Sequence, residues 1–272
     1  MVNGYVPNNL QEALDVRGQY DVVPYGGGTD LMVDEEQKGT YLFLHKVPEL
    51  KRVSEDSESY YFGACCTFTQ LLENSITPAI LKEALSKIAA PAIRNAGTIG
   101  GNIGNGSAKA DSALIFFVTD SMLRLVSKDG ERLMPVKDFY LGRKKLALEK
   151  NELIAEVIMP KKWLSDYYYE KVGARKALAI SRLSFAGLLS VQEGKIAHCA
   201  AAFGAVSDVI IRREDIDSLM IGKTVREAID FKEEYIARYD EAIVPIRGRV
   251  SAEYRKTVCL NLLRNFIDAK VI

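Results

Sequence analysis

Apolar and polar residues along the chain alternate in a pattern that predicts short strands and helices in turn up to about Pro160. Asn9, with Glu12 three residues later, reads as a capping box opening a helix through Leu10, Ala13 and Leu14 that ends at Gly18. Residues 21–25, 41–44 and 59–62 read as strands. Thr67 is placed to cap a helix through Leu71 and Leu72. Pro78 starts a longer one through Ile80, Leu81, Ala84, Leu85 and Ile88, which stops near Pro91. Asp111 stands where an N-cap belongs, before Leu114, Phe116 and Phe117. Residues 122–127 and 131–136, joined by Lys128-Asp129-Gly130, form a hairpin, and residues 153–159 form a strand ended by Pro160.

After Lys161-Lys162-Trp163-Leu164-Ser165-Asp166 the style changes. Leu183, Phe185, Gly187, Leu189 and Val191 alternate with small or polar residues, and Gln192-Glu193-Gly194-Lys195 turns the chain into residues 196–206. That is the signature of a half-buried antiparallel meander. From Arg213 the chain is charged and helical, with a last helix from Ala252 through Tyr254, Leu260, Leu263 and Phe266. The expected class is α+β: an α/β nucleotide-binding region followed by a smaller antiparallel sheet with helices.

Two glycine-rich segments interrupt the first region. One is Val23-Pro24-Tyr25-Gly26-Gly27-Gly28-Thr29-Asp30-Leu31; the other runs from Ile93-Arg94-Asn95-Ala96-Gly97-Thr98-Ile99-Gly100-Gly101-Asn102 to Asp111. Without Cβ, consecutive amides can turn inward together and hold a diphosphate with no basic side chain. Two such nests suggest one large ligand with a pyrophosphate in its middle. The first segment lacks the Gly-Lys-Ser/Thr ending of a P-loop and the spacing of a Rossmann turn. A triple glycine alone is also what a tight strand-to-helix turn needs, and surface loops favour Gly and Asn in general.

Composition narrows the field. The chain has 272 residues, 48% hydrophobic and 26% charged, as an ordinary globular protein does. Lys+Arg and Asp+Glu are both 36, a balance that argues against nucleic acid as a partner. No apolar run is long enough to span a membrane, and the N-terminal residues do not read as a signal peptide. Cys65, Cys66, Cys199 and Cys259 have no CxxC spacing, so neither a disulfide framework nor an iron–sulfur site is expected in this chain, and a reducing cytoplasm is. His45 and His198 both fall in strand-like runs, where packed or edge histidines are expected rather than metal ligands, so no metal site is expected.

Tyr25-Gly26-Gly27-Gly28-Thr29-Asp30-Leu31, together with Ile93-Arg94-Asn95 and Thr98-Ile99-Gly100-Gly101-Asn102, resembles the FAD-binding (medium) subunit of the molybdenum hydroxylases, the xanthine dehydrogenase and carbon monoxide dehydrogenase family. Val47-Pro48-Glu49-Leu50, Phe62-Gly63-Ala64 with Thr67, and Asn151-Glu152-Leu153-Ile154 with Pro160 extend the resemblance. So do Tyr169-Glu170-Lys171-Val172-Gly173 with Arg175-Lys176-Ala177-Leu178-Ala179-Ile180, and Ser251-Ala252-Glu253-Tyr254-Arg255.

The resemblance implies a two-part FAD-binding region of the PCMH type at 1–165, with subdomains at about 1–54 and 55–165, and a C-terminal domain at 166–272. It implies FAD held by Tyr25, Gly26, Gly27, Gly28, Thr29, Asp30 and Leu31 on one side. Thr98 and Asn102 would supply side-chain donors on the other, and Gly97 and Gly101 close backbone approach. Ser107 and Asp111 would hydrogen-bond FAD, Leu153 and Ile154 would lie beside the flavin, and Ile88 stands where some relatives place an aromatic. Lys171 would lie near the flavin's pyrimidine edge, where a cation stabilises negative charge at N1–C2=O; an exposed strand lysine is the plainer reading. The flavin does the redox chemistry, so no protein catalytic residue is expected.

The departures are Ser107-Ala108-Lys109-Ala110-Asp111, which lacks a proline and adds Lys109, and Tyr25, which stands where smaller residues are frequent. The resemblance further implies a hetero-oligomer with a molybdopterin-binding large subunit and a [2Fe–2S] small subunit, NAD or another acceptor, and xanthine, another purine or another N-heterocycle as substrate. A stand-alone FAD oxidoreductase and a non-catalytic FAD-binding assembly module are the alternatives.

Overall fold

The computed structural model describes residues 3–33, 39–175, 178–246, 248 and 250–271. Lys176 and Ala177, part of one family-like motif, lie outside the described residues. The chain divides into two compact units, each discontinuous in sequence: residues 1–77, 89–106 and 120–161, and residues 78–88, 107–119 and 162–272.

The first unit carries strands β1 (Gly4–Tyr5), β2 (Val22–Tyr25), β3 (Thr40–Phe43), β4 (Val53–Glu55), β5 (Ser59–Gly63), β6 (Met122–Ser127), β7 (Gly130–Pro135), β8 (Tyr140–Gly142), β9 (Lys145–Leu146) and β10 (Leu153–Pro160). A small parallel sheet has the order β1-β3-β2, and an antiparallel sheet the order β4-β5-β10-β6-β7. The helix Leu10–Gln19 joins β1 to β2. Its Asn9 cap accepts from the Glu12 N–H at 2.8 Å, while the Glu12 carboxylate accepts from the Asn8 N–H at 2.8 Å and the Asn9 side-chain amide at 2.9 Å. The helix runs past Gly18 and ends only where Tyr20 turns extended. Its Ala13 and Leu14 pack with Val22, Leu42, Leu44, Leu50, Val126 and Leu153 in a core that fixes β2, and with it the turn that follows.

The second unit carries β11 (Tyr167–Val172), β12 (Leu183–Gln192), β13 (Lys195–Gly204) and β14 (Ile211–Arg212), antiparallel in that order. Leu183, Phe185 and Leu189 face Phe266, Tyr235 and Tyr239 of the helices Ala252–Val271 and Val225–Ala242. The expected half-buried meander is instead covered on both faces. Ser184, Ala186 and Leu188 are buried as well, because the helix Asp111–Val118 lies on their side of the sheet. All eight residues of that helix are buried, which is why its sequence is apolar all round apart from its first turn. Asp217 fastens helix to sheet: it accepts from Tyr235 at 2.5 Å, Tyr239 at 2.7 Å and the Ala201 N–H at 3.1 Å, and pairs with Arg212.

Candidate functional site

β2 delivers Tyr25 into a turn that only glycine can make. A Cβ on Gly26 would strike the Thr98 hydroxyl, and one on Gly27 would fall on the Ala96 carbonyl. Gly28 has φ +69°, and a Cβ there would meet the Tyr25 hydroxyl. Thus the two glycine segments are packed against each other, backbone to backbone. The Tyr25 ring is fixed by Phe43 and Tyr41, with centroids at 4.8 and 5.8 Å, and its hydroxyl end lies over Gly28. The unusual Tyr25 is therefore part of the turn's packing. Among the described residues, the N–H groups of Gly27, Gly28 and Thr29 have no protein acceptor. Unpaired amides in a partly buried turn are costly and call for a partner.

The second segment differs from the nest of inward amides expected. Residues Pro91–Ala96 and Ile99–Gly104 are both helical, with Gly97 extended between them. Thr98 is the N-cap of the second helix, its hydroxyl accepting from the Gly101 N–H at 3.1 Å. The Ile99 N–H donates to Cys66 at 3.1 Å and the Gly100 N–H to Ala64 at 2.8 Å. Gly100 is needed because a Cβ there would press on Ala64. The N–H groups of Gly97 and of residues 99–102 are thus used by the protein. What this segment offers a ligand is the hydroxyl hydrogen of Thr98 and bare backbone at Gly101.

Beyond it, Gly106 at φ +62° accepts from the Lys144 N–H at 3.2 Å. Lys144 also bonds Asn105 Oδ1 and lies 3.7 Å from Asp30 Oδ2, so the β8–β9 hairpin ties the ends of both segments. No motif marks this lysine in the sequence. Leu153 is buried in the core, and Ile154 is nearly so, its Cδ1 facing Gly104.

In the second unit, Asp111 is not a cap. Ala110 is the N-cap and Asp111 the first helical residue. Its carboxylate accepts from Lys171 Nζ at 2.8 Å on one oxygen and from the Ser181 hydroxyl at 2.6 Å on the other. Lys171 Nζ also donates to the Lys87 carbonyl at 2.7 Å, one residue before Ile88. The side chains of Lys171 and Asp111 are 8% and 5% exposed, so Lys171 is a buried partner rather than a solvated strand lysine. Ser107 makes a turn, accepting from Lys109 N–H at 3.2 Å on its hydroxyl and from Ala110 N–H at 3.0 Å on its carbonyl. Ser181, 70 residues from Asp111, carries no sequence signal of its role. The Tyr169 hydroxyl beside this group is buried without a partner, and burial, followed by the charge of Asp111, pushes its phenol well up.

The four thiols are poor nucleophiles, all being buried and pushed up. Burial pushes the Cys65 thiol up to about 12 and Cys66 to about 11. Among the described residues no His/Cys/Asp/Glu group could hold a metal ion.

Residues 1–162 match the family model of the FAD binding domain in molybdopterin dehydrogenase, and residues 167–269 that of the CO dehydrogenase flavoprotein C-terminal domain. The chain is a flavoprotein subunit by class. It belongs to the FAD-binding medium subunits of the molybdenum hydroxylase family. It is 33% identical to the xanthine dehydrogenase FAD-binding subunit of Escherichia coli O157:H7 over 68% of this chain and 67% of that one. It is 28% identical to the nicotinate dehydrogenase FAD-subunit of Eubacterium barkeri over 97% and 94%. Its fold matches a chain of a solved Cu,Mo-CO dehydrogenase with TM-score 0.90 and 23% identity, covering 99% of this chain and 97% of that one. The residues present fit FAD: three unpaired amides at a glycine turn suit a diphosphate, and the adjoining Thr98 hydroxyl adds a donor. No helix among the described residues is long and apolar enough to cross a membrane.

Proposed function

We propose that this chain holds one FAD in a hetero-oligomeric, cytoplasmic molybdenum hydroxylase. Electrons would enter from [2Fe–2S] clusters of a small partner subunit and leave to NAD or another acceptor. The organic substrate, xanthine or another purine or N-heterocycle, would be oxidised at a molybdopterin centre in a large partner subunit. The observation that carries the cofactor assignment is the turn at Gly27, Gly28 and Thr29, with its amides unpaired. The xanthine and nicotinate relatives support the substrate class. Four buried free thiols support a reducing compartment.

Bound FAD would supply the redox chemistry, taking electrons singly and releasing them in pairs. The protein's part is to bind and orient. The segment Tyr25, Gly26, Gly27, Gly28, Thr29, Asp30 and Leu31 would present its amides to the diphosphate. Thr98 and Asn102 would donate from the other side, with Gly97 and Gly101 leaving room. Ser107 and Asp111 would fix polar groups of the cofactor, and Ile88, Leu153 and Ile154 would give aliphatic neighbours to the ring. Lys171, with one N–H left after Lys87 and Asp111, would donate at the flavin's pyrimidine edge. We take 1–165 as the FAD-binding region and 166–272 as the C-terminal domain.

Purification from the native host, with metal analysis, tests this reading. Molybdenum, iron and two further chains should travel with the flavin. A yellow protein that travels alone and oxidises an organic substrate by itself would favour a stand-alone oxidoreductase.

A further inference from the structure

Arg255 is a buried arginine for which no carboxylate partner occurs among the described residues; it is 3% exposed. From the helix Ala252–Val271, its Nη1 donates to the Arg182 carbonyl at 2.6 Å and also to the Ala205 carbonyl. Its Nε is buried without a partner, and Nη2 fills the space a Cβ on Gly248 would need. A guanidinium spent on two carbonyls is an expensive way to stabilise a fold, since burying it costs more than burying a hydrocarbon of like volume.

What the two carbonyls belong to explains the expense. Arg182 directly follows Ser181, whose hydroxyl holds one carboxylate oxygen of Asp111. Ala205 has φ +62°, a conformation disfavoured for a residue with a Cβ, and its N–H donates to the Ala108 carbonyl at 2.6 Å. Ala108 lies in the segment that runs from Ser107 to Asp111. One side chain therefore grips two of the chain segments around Asp111: the one that carries Ser181, and the one that holds the Ser107 turn.

We propose that Arg255 is a positioning residue for the polar group Asp111, Lys171 and Ser181, and through it for the electrostatics the flavin experiences. The inference rests on the assignment of Asp111 and Lys171 to the flavin. Arg255 touches no cofactor in this scheme; it acts through backbone carbonyls.

The test uses the FAD-loaded complex and follows the flavin's midpoint potential and visible spectrum, with near-UV circular dichroism as a check of folding. Arg255→Gln should shift the potential with the same sign as Ser181→Ala. The double variant Arg255→Gln/Ser181→Ala should be no further shifted than the larger single, because both changes act along one path. Arg255→Lys, which retains a donor for one carbonyl, should fall between wild type and Arg255→Gln. An unshifted potential in a folded Arg255→Gln protein, with Ser181→Ala shifted, would overturn the positioning role alone. If Asp111→Asn also leaves the potential unchanged, the flavin assignment of the group itself fails. If Arg255→Gln and Arg255→Lys both fail to fold, Arg255 serves stability only and the proposal is wrong.

Discussion

Lys171 Nζ lies 2.8 Å from Oδ2 of Asp111, and both side chains are more than nine-tenths buried. The cation expected to act on a flavin is thus half of a closed pair. Lys171→Met would strand a buried carboxylate, a change that costs about 3–5 kcal/mol. We expect urea unfolding to show a loss of that order, and the Lys171→Met/Asp111→Asn double variant to regain a good part of it. A double variant as unstable as Lys171→Met would mean the damage lies in packing, not in the unpaired charge. On the flavin, the two single changes should act oppositely: Lys171→Met should make reduction harder and Asp111→Asn easier, as read by redox titration.

The first glycine turn should be intolerant of even one methyl group. Gly27→Ala places a Cβ on the Ala96 carbonyl, so the two segments must part and the turn's amides lose their aim. We expect this variant to purify with little flavin. Gly104→Ala, where the nearest atom to a Cβ is Ile154 Cδ1 at 3.8 Å, is the control and should keep its flavin. Equal FAD content in both would remove the turn from the site. A Gly27→Asp change would be a poorer probe, because steric and charge effects would arrive together.

Thr98 has two duties, capping the helix Ile99–Gly104 and facing Gly26. Thr98→Ala should lower stability by about 1 kcal/mol from the lost cap. It should weaken FAD binding in addition, whereas Thr98→Ser should preserve both. Thermal shifts measured with and without FAD separate the two: a Thr98→Ala deficit of equal size in each condition would leave Thr98 a cap only.

His198 stacks flat on Trp163, with centroids 5.3 Å apart, and burial, aided by Arg212 and Lys162, lowers its pKa from 6.5 to about 4. The unfolded chain therefore takes up this proton first as pH falls. The neutral ring contributes stability above about 6.5 that is lost progressively as pH drops towards about 4. His198→Gln should flatten the stability profile in that window relative to wild type. Parallel profiles across it would show that His198 does not titrate as described.

Much of this was legible in the sequence where local chemistry decides. The Asn9 and Thr67 caps, the hairpin of β6 and β7, and the α+β class follow from spacing alone. The first glycine turn reads correctly as unpaired backbone because no side chain there can fill it. The second segment misleads because glycine content does not say whether amides are spent: Thr98 caps a helix, and Cys66 and Ala64 take the next N–H groups from elsewhere in the chain. Ser181, Lys144 and Arg255 act at sequence distances of 70, 39 and 73 residues from the partners they hold, which no local pattern encodes. The meander looked half-buried because Ser184 and Ala186 are small, not because they face water; small residues there admit the helix Asp111–Val118.

The central claim is that backbone amides of Gly27, Gly28 and Thr29 hold the diphosphate of FAD. Equilibrium titration of the flavin-free protein with FAD and with riboflavin, which has the same ring but no diphosphate, tests it most directly. The account expects FAD to bind at one per chain and riboflavin to bind at least about a hundredfold more weakly, a difference of roughly 3 kcal/mol. Equal affinity for the two ligands would contradict it.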